Sequence, residues 1–438
     1  MAEDVHPEIA AALAKLAKHN AAAVGDADAA LDWLTHEQGL TALTQERVQD
    51  FCWYQLPMKW LISYDEKVRV ATALAEALDL LQLPRYAAVC RSEATREILT
   101  AYEESPQLGK AAYRRAAIAS GIYPPDLPEL EWGQVMGVQE VSAWSSVADF
   151  LEMAVASGQL VPGARGWKTR QQELVRAHIN ISQTGLLGQT FAHAILTERT
   201  ETWVNLRHSE TRRQIVAALA NSLLHPANLP EGTTDPLPRV RWLLAELDEG
   251  VVLTQTGNLN RKLVQQSVDM FGWDFPNPPR SEDEFFDLYQ VHTLVKKLGL
   301  ARRKGRMLTL TAKGRSLLTD PDELWRTVAT RLLPRDNDFA LYTGELFLAL
   351  LVSADSVPLR EIRATIHQAV REEGFGDSLT GLPPDEDDVS WAMHVTLNLT
   401  RALGLLAVGA DWQDRDYGLS EVGKATALEA LRSRATGS

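Results

Sequence analysis

The chain has 438 residues, of which 45% are hydrophobic, and this length can form two to four domains with their own cores. Its formal net charge is −14, so general attraction to nucleic acid is excluded and only a local basic region could supply it. Two cysteines without a Cys-x-x-Cys spacing, an acidic N-terminus and no long apolar run predict a cytoplasmic protein without a disulfide framework, a zinc framework or a membrane span.

Residues 1–121 are predicted to form a helical domain. They are rich in alanine and leucine, and apolar residues recur at helical spacing between Met58 and Leu81. The aromatic cluster formed by Phe51, Trp53, Tyr54 and Trp60 is interpreted as core. The alternative is an exposed aromatic patch that binds a partner.

A proline-rich segment at residues 122–128 interrupts the helical pattern and predicts a boundary. Residues 132–225 are then predicted to form a helical region. Within it, a helix over residues 145–157 followed by the glycine-rich segment 160–167 resembles a degenerate winged helix. Residues 226–236, with three prolines and a glycine, predict a linker.

One pattern occurs twice in the second half of the chain: a helix, Leu-Gly-Leu, a hairpin, Leu-Thr/Ser-x-x-Gly and another helix. Leu-Gly-Leu lies at residues 298–300 and again at 403–405. We call residues 238–335 the first copy and residues 340–434 the second copy. The pattern is typical of winged helices. The predicted fold is therefore mainly α, with a helical N-terminal half followed by tandem winged-helix (α+β) domains.

Each part of the pattern has a physical reason. Gly299 and Gly404 stand where a helix must end, and glycine adopts the left-handed conformation without a steric penalty. A hairpin around Gly305 fits the alternation of apolar and polar residues that follows it. Thr311 and Ser420 can then cap the next helix through their hydroxyl groups.

The two copies differ in charge. The first copy has 16 Lys/Arg and 12 Asp/Glu, a net charge of +4, whereas residues 340–438 have 8 and 15, a net charge of −7. We call residues 296–315 the basic segment, because they contain eight basic residues and no acidic one. These predicted nucleic-acid-binding residues are Lys296, Lys297, Arg302, Arg303, Lys304, Arg306, Lys313 and Arg315.

The stretch from Leu237 to Leu333 resembles a family of uncharacterised actinobacterial and plasmid-borne proteins. The resemblance rests on Trp-Leu-Leu at 242–244, Leu-Thr-Gln-Thr-Gly at 253–257, Leu-Gly-Leu at 298–300 and Asp-Pro-Asp-Glu-Leu-Trp at 320–325. It implies a winged-helix-like domain. It implies no activity and no catalytic residue.

In helix-turn-helix proteins the N-terminal part of the recognition helix enters the major groove. Both candidate helices begin with acidic residues here, at 282–284 and at 385–388, which disfavours reading of bases. Ser281 and Glu284 have the spacing of a capping box, which offers a structural role for these acids. Contact with the DNA backbone through the predicted wing remains open, as does a wing that is merely solvated or docks onto the acidic remainder of the molecule.

Sequence signals for catalysis are weak. Residues 418–425 nearly match a phosphate-binding loop, but Ala425 replaces the Ser or Thr that would bind magnesium. The ten histidines are scattered. We therefore predict a non-enzymatic DNA-associated or regulatory protein without cofactor or metal. The alternative is an assembly subunit whose winged helices bind other proteins, and exposure of the eight basic side chains as one stripe would favour DNA.

Overall fold

The computed structural model describes residues 6–35, 38–271, 279–376, 381–407 and 416–437. Helices account for 68% and strands for 5% of the structure, which confirms a mainly α fold. The chain divides into two compact units, residues 1–195 and 196–438. Within the described residues, no helix combines the length and apolar character needed to cross a bilayer.

The first unit is built from helices. Its α-helices are α1 Pro7–His19, α2 Val24–Thr35, α3 Gln45–Asp50, α4 Leu56–Lys59, α5 Tyr64–Leu80, α6 Pro84–Arg91, α7 Glu93–Glu104, α8 Pro106–Ser120, α9 Val138–Ala156 and α10 Trp167–Ile179. Short 3₁₀ helices cover Ala21–Ala23, Gly39–Ala42 and Thr184–Leu186, and a π-helix covers Phe51–Gln55. Side-chain caps set several helix starts; at α5, for example, Ser63 and Glu66 form a capping box.

Two clusters of buried side chains lie in this unit, one drawn from residues 9–117 and the other from residues 122–195. Phe51 and Trp53 are buried in the former and Trp60 packs against it, which confirms the core interpretation for these three rings, whereas Tyr54 is half-buried. The predicted degenerate wing is wrong. Residues 157–166, all of them described, form consecutive turns between α9 and α10 and contain no strand, because four glycines and prolines there favour turns over pairing.

The second unit contains both copies of the repeated pattern. Its α-helices are α11 Phe191–Asn205, in which the boundary between the units falls, α12 Glu210–Ala217, α13 Ala220–Leu223, α14 Pro238–Asp248, α15 Arg261–Phe271, α16 Phe286–Lys297, α17 Ala312–Leu318, α18 Pro321–Ala329, α19 Asp338–Ser353, α20 Leu359–Glu373, α21 Glu386–Ala402 and α22 Glu421–Thr436. Its strands are β1 Val251–Val252, β2 Ala301–Lys304, β3 Met307–Leu310, β4 Val357–Pro358 and β5 Asp416–Tyr417.

In the first copy the elements follow the order α14, β1, α15, α16, β2 and β3. The strands form an antiparallel sheet in the order β1-β3-β2, in which β2 and β3 are the predicted hairpin. Arg302 pairs with Thr309 and Lys304 with Met307. Gly305 has a φ of 62° at the tip of the hairpin, a conformation that glycine adopts without strain.

The second copy repeats this order with α19, β4, α20, α21 and β5. Val357 of β4 pairs with Tyr417 of β5 in an antiparallel ladder. Most of the second predicted hairpin, residues 408–415, lies outside the described residues. The order of the elements is thus the same in both copies as far as the structure describes them.

The turns that define the repeat have the predicted geometry in both copies. Gly299 and Gly404 have φ values of 67° and 75°, as expected for glycine that ends a helix. The Thr311 hydroxyl accepts a hydrogen bond from the Gly314 N–H, and the Ser420 hydroxyl accepts one from Gly423. These contacts confirm the predicted helix caps.

The two copies share a continuous core. Buried side chains from residues 203–435 form one cluster, and the fully buried Trp325 of α18 donates its indole N–H to the Thr426 hydroxyl of α22 at 2.9 Å. Asp287 of α16 forms an ion pair with Arg401 of α21 at 2.9 Å. The domain boundaries assigned from sequence stay predictions, but the copies they separate are packed against each other.

Candidate nucleic-acid interface

All eight predicted basic side chains are exposed to solvent. They lie at the end of α16, along the hairpin and in α17, and they comprise Lys296, Lys297, Arg302, Arg303, Lys304, Arg306, Lys313 and Arg315. Within residues 296–315 the buried positions are apolar residues and Gly314. The basic segment therefore presents its charge to solvent and its apolar residues to the core.

Strand alternation divides the cations of the hairpin into two kinds. Ala301 is buried, so Arg302 and Lys304 lie on the opposite, outer face of β2. Neither side chain has a hydrogen bond or ion pair with any residue in the described ranges. These two cations are therefore available to an external anion.

Arg303 and Arg306 instead donate hydrogen bonds to backbone carbonyl groups within the first copy. Arg303 donates to the carbonyl oxygen of Gly305 at 2.7 Å, and its guanidinium lies against Gly257. Arg306 donates twice to the carbonyl oxygen of Leu253, at 3.0 and 2.8 Å. Arg306 joins the hairpin to the turn that follows β1 and Arg303 packs against that turn, so part of their donor capacity is already used.

The lysines at the base of the hairpin complete the surface. The Thr311 hydroxyl donates to the carbonyl oxygen of Gly299 at 2.8 Å, which joins the start of α17 to the end of α16. Lys296 and Lys313 flank this junction, and the structure gives them no ionic partner among the residues it describes. They extend the positive charge of the hairpin onto the two adjoining helices.

The remaining two cations have acidic partners in solvent. Lys297 lies 4.0 Å from Asp336, and Arg315 lies 3.3 Å from Asp248. Exposed pairs of this kind contribute about 0 to 1 kcal/mol and are screened by salt. A phosphate could therefore compete for either cation.

The acidic start of the candidate recognition helix differs from the prediction. Residues 282–284 form a separate 3₁₀ turn, and α16 begins only at Phe286. The capping box predicted for Ser281 and Glu284 is absent, because the Glu284 carboxylate accepts from the Arg280 N–H instead. Hydrogen bonds across the turn, rather than a side-chain cap, satisfy the backbone here.

Glu282 is fully buried, so it cannot repel a ligand at the surface. Its carboxylate accepts from the backbone N–H of Leu259 and lies 2.7 Å from Nδ1 of the buried His292. Asp287 is held by Arg401, as described above. Glu282, one of the acidic residues that disfavoured reading of bases, is thus engaged inside the protein, and Asp287 in the first turn of α16 is paired as well.

The exposed face of α16 carries groups that sequence reasoning missed. Phe286 and Tyr289 are 45% and 41% exposed, and their rings stack with centroids 6.4 Å apart. Lys296, ten residues after Phe286, falls on the same face at helical spacing. The i, i+3, i+10 pattern of apolar and basic residues is the signal that could have identified this face.

The arrangement offers exposed cations that can bind a polyanion. Within the ranges described above, no group of three or more His, Cys, Asp or Glu side chains is placed to hold a metal ion. Cys52 and Cys90, far apart in sequence, are buried free thiols whose sulfur atoms lie 3.7 Å apart in the first unit. Mutual contact and burial raise the pKa of Cys52 well above its ordinary value, which makes it a poor nucleophile.

Residues 239–323 match a family described as the Y4jL N-terminal domain. The match lies inside the stretch for which a resemblance was predicted, and the family is uncharacterised, as expected. The actinobacterial origin of the relatives stays a prediction. No curated protein and no solved structure matches the chain.

Proposed function

We propose that the first copy is a winged-helix domain that contacts the phosphate backbone of duplex DNA through the basic segment. The observation that carries this proposal is the exposure of all eight basic side chains on one continuous segment that has no acidic residue. The order helix, strand, helix, helix, strand, strand and the sheet order β1-β3-β2 support the winged-helix assignment. The equivalent order in the second copy supports a tandem arrangement.

The chemistry of these side chains favours contact with phosphates over reading of bases. Arginine and lysine on a hairpin bind phosphate oxygens without regard to sequence. Each neutralised phosphate releases counterions, so log K falls with log salt concentration by about 0.9 per contact. Four available cations, Lys296, Arg302, Lys304 and Lys313, would give a slope of about −3 to −4.

The protein in this proposal is non-enzymatic, regulatory and cytoplasmic. The low cysteine content, two residues without a Cys-x-x-Cys spacing, is in line with a reducing compartment. The second copy has net negative charge and contributes no comparable basic segment. Its role in this proposal is to support α16 through the ion pair between Asp287 and Arg401.

A second candidate function is an assembly subunit that binds other proteins. Trp391 and Val395 of α21 support it, because they are 81% and 48% exposed and lie one helical turn apart. Exposed tryptophan is a frequent anchor in protein interfaces. This surface lies on the second copy and is compatible with DNA contact by the first.

The test is binding of a fluorescent duplex of arbitrary sequence, measured by anisotropy across a salt series. The native chain is compared with Lys296→Ala/Arg302→Ala/Lys304→Ala/Lys313→Ala. At low salt we expect the variant to bind at least about 100-fold more weakly than the native chain. The slope of log K against log salt concentration should become less steep by about three. The four side chains are exposed and have no hydrogen bond or ion pair with the residues that the structure describes, so the fold should be retained.

The matched control is Lys15→Ala/Lys18→Ala/Arg165→Ala/Arg360→Ala, which removes the same charge from exposed positions elsewhere. It should leave the salt slope within about one of the native value. Equal losses in both variants would mean that net charge alone governs binding. Absence of native binding at low salt would overturn the proposal and leave the assembly function.

A further inference from the structure

The first unit contains a pre-formed cavity of about 920 Å³ between α8, the segment 123–136, α9 and the start of α10. This volume lies in the range of cavities that hold small ligands and cofactors. Its lining combines aromatic rings with basic side chains. We propose that it is a binding site for a nucleotide, with the base on the aromatic wall and the phosphate at the basic end.

The aromatic wall consists of Tyr123, Trp132 and Trp144. Trp144 lies in the middle, with its ring centroid 4.9 Å from that of Tyr123 and 5.2 Å from that of Trp132, both edge to face. Trp132 and Trp144 are half-buried. A planar heteroaromatic base can pack against such rings through dispersion, and stacking of a base on an aromatic side chain contributes about 1 to 3 kcal/mol.

The polar atoms of these indoles are already used within the protein. Trp132 donates its ring N–H to the carbonyl oxygen of Pro125 at 3.0 Å, and Trp144 donates to the carboxylate of Glu46 at 2.9 Å. The rings therefore offer carbon faces to a ligand. These hydrogen bonds also fix the ring orientations before a ligand arrives, which reduces the entropy lost on binding.

The loop beside the rings is fixed as well. The buried Glu140 of α9 accepts a hydrogen bond from the Gly133 N–H at 2.7 Å, and Asp126 accepts one from the Trp132 N–H at 3.0 Å. The Gln171 side chain donates to the carbonyl oxygens of Gly121 and Tyr123. The cavity wall is thus held by side-chain contacts from two helices.

The basic end has a charge that suits phosphate. Lys110 and Arg114, one turn apart on α8, and Lys168 on α10 line the cavity, against the single lining carboxylate of Asp126. All three cations are exposed and carry no ion pair within the described part of the chain. This excess of positive charge disfavours a cationic ligand and favours an anionic one.

The start of α10 adds backbone donors to these cations. Lys168 and Thr169 line the cavity and lie in the first turn of this 13-residue helix, where backbone N–H groups have no partner within the helix. The N-cap is Gly166, which makes no side-chain cap, and the first turn contains no acidic residue. Such a helix start attracts phosphate, and here it opens beside an aromatic wall.

The experiment is calorimetric titration of the full chain with adenosine, guanosine, cytidine and uridine monophosphates, and separately with the four nucleosides and with inorganic phosphate. We expect at least one monophosphate to bind with a Kd below about 1 mM. The corresponding nucleoside and inorganic phosphate should each bind at least about tenfold more weakly, because each lacks one half of the ligand.

Two variants test the two halves of the site. Lys168→Ala should weaken nucleotide binding about tenfold, whereas Lys18→Ala, an exposed lysine on α1, should not. Trp132→Leu should weaken nucleotide binding at least as much. Its control, Trp391→Leu, should leave nucleotide binding unchanged. If Trp132→Leu fails to fold, as judged by circular dichroism, the exposed Lys168→Ala variant still decides the question.

Three results would overturn the proposal. The first is absence of binding by every monophosphate in the millimolar range to the folded protein. The second is inorganic phosphate that binds as tightly as the nucleotides, which would indicate an anion site without base recognition. The third is binding of a single-stranded oligonucleotide, titrated in the same way, by a protein that binds no monophosphate, which would indicate a strand-binding groove. None of these results depends on whether the basic segment binds duplex DNA.

Discussion

The two copies of the repeated pattern have the same order of elements but different surfaces. Both place a glycine at the end of the third helix and a hydroxyl cap before the next one. The first copy then presents eight exposed cations, whereas the second begins α21 with the acidic residues 386–388 and exposes Trp391. The residues that the backbone conformation requires are therefore the same in both copies. The surface charge, which determines what kind of partner can bind, differs between them.

The residues that repeat stand at positions where the backbone geometry admits only a glycine. A Cβ on Gly314 would lie 2.1 Å from the carbonyl oxygen of Leu300, and one on Gly423 would lie 2.0 Å from that of Leu405. Both glycines therefore allow α17 and α22 to approach the Leu-Gly-Leu turn that follows the third helix of each copy. The cations, by contrast, are exposed and make few contacts that the fold needs.

The largest expected effect tests whether the copies share one core. Trp325→Ala removes a fully buried indole that bridges α18 and α22, and it should lower the free energy of unfolding by about 3 to 5 kcal/mol. The measurement is urea denaturation followed by circular dichroism. Trp391→Ala, which removes an indole that is 81% exposed, should change stability by less than about 0.5 kcal/mol. Similar effects from both would contradict the shared core.

The next largest effect tests whether the two copies are equivalent at Gly314 and Gly423. Gly314→Ala and Gly423→Ala should each lower the free energy of unfolding by about 1 to 3 kcal/mol, because a methyl group must displace a carbonyl oxygen. Denaturation of both variants under the same conditions checks this. If one is destabilised and the other is neutral, the copies are not equivalent at this position.

A smaller effect separates the two acidic segments at which the sequence predicts that the third helices begin. Asp385 caps α21 in a full capping box, so Asp385→Ala should cost about 1 kcal/mol. Ser281 makes no such cap, and Ser281→Ala should cost less than about 0.5 kcal/mol. Thermal melts of the two variants compare them directly. A larger loss at Ser281 would mean that the capping box predicted from sequence does form in solution.

The pH dependence of stability sharpens the comparison further. In the second copy the carboxylate of Glu372 binds the start of another helix, α12. Glu372 of α20 accepts from the backbone N–H and hydroxyl of Thr211 and from the Ser209 hydroxyl at the start of α12. These bonds, together with one from the Gln368 side chain, lower the pKa of Glu372 from 4.5 to about 2. Its stabilising contribution is therefore complete above about pH 4.5 and is lost as the pH falls toward 2.

The stability difference between the native chain and Glu372→Gln, measured by denaturation at a series of pH values, should follow this window. It should be constant near neutral pH and shrink below about pH 4.5, with a modest size because the group is exposed. A difference that is unchanged between pH 7 and pH 3 would show that the hydrogen bonds do not favour the ionised form.

Much of the local structure follows from short-range sequence signals. Gly299, Thr311 and Gly305 each act through their own backbone and close neighbours, so spacing alone predicts a helix end, a cap and a hairpin tip. The exposure of the eight cations was open until their surroundings were known. Their types and spacing nevertheless identified the candidate surface.

Contacts between distant parts of the chain could not be predicted in the same way. Cys52 and Cys90 are 38 residues apart and their sulfur atoms are 3.7 Å apart, because helices pack in a register that sequence spacing does not encode. The burial of Glu282 depends on His292 and on the start of α15. The cavity in the first unit combines segments from Lys110 to Gln172, none of which forms a motif alone.

The most direct test of the proposed DNA contact is hydrogen–deuterium exchange of the full chain with and without a generic duplex at low salt. Slower exchange should be confined to the basic segment, residues 296–315, with α21 of the second copy unchanged. Protection of α21 or of the first unit, with the basic segment unaffected, would contradict the assignment of the basic segment as the contact surface.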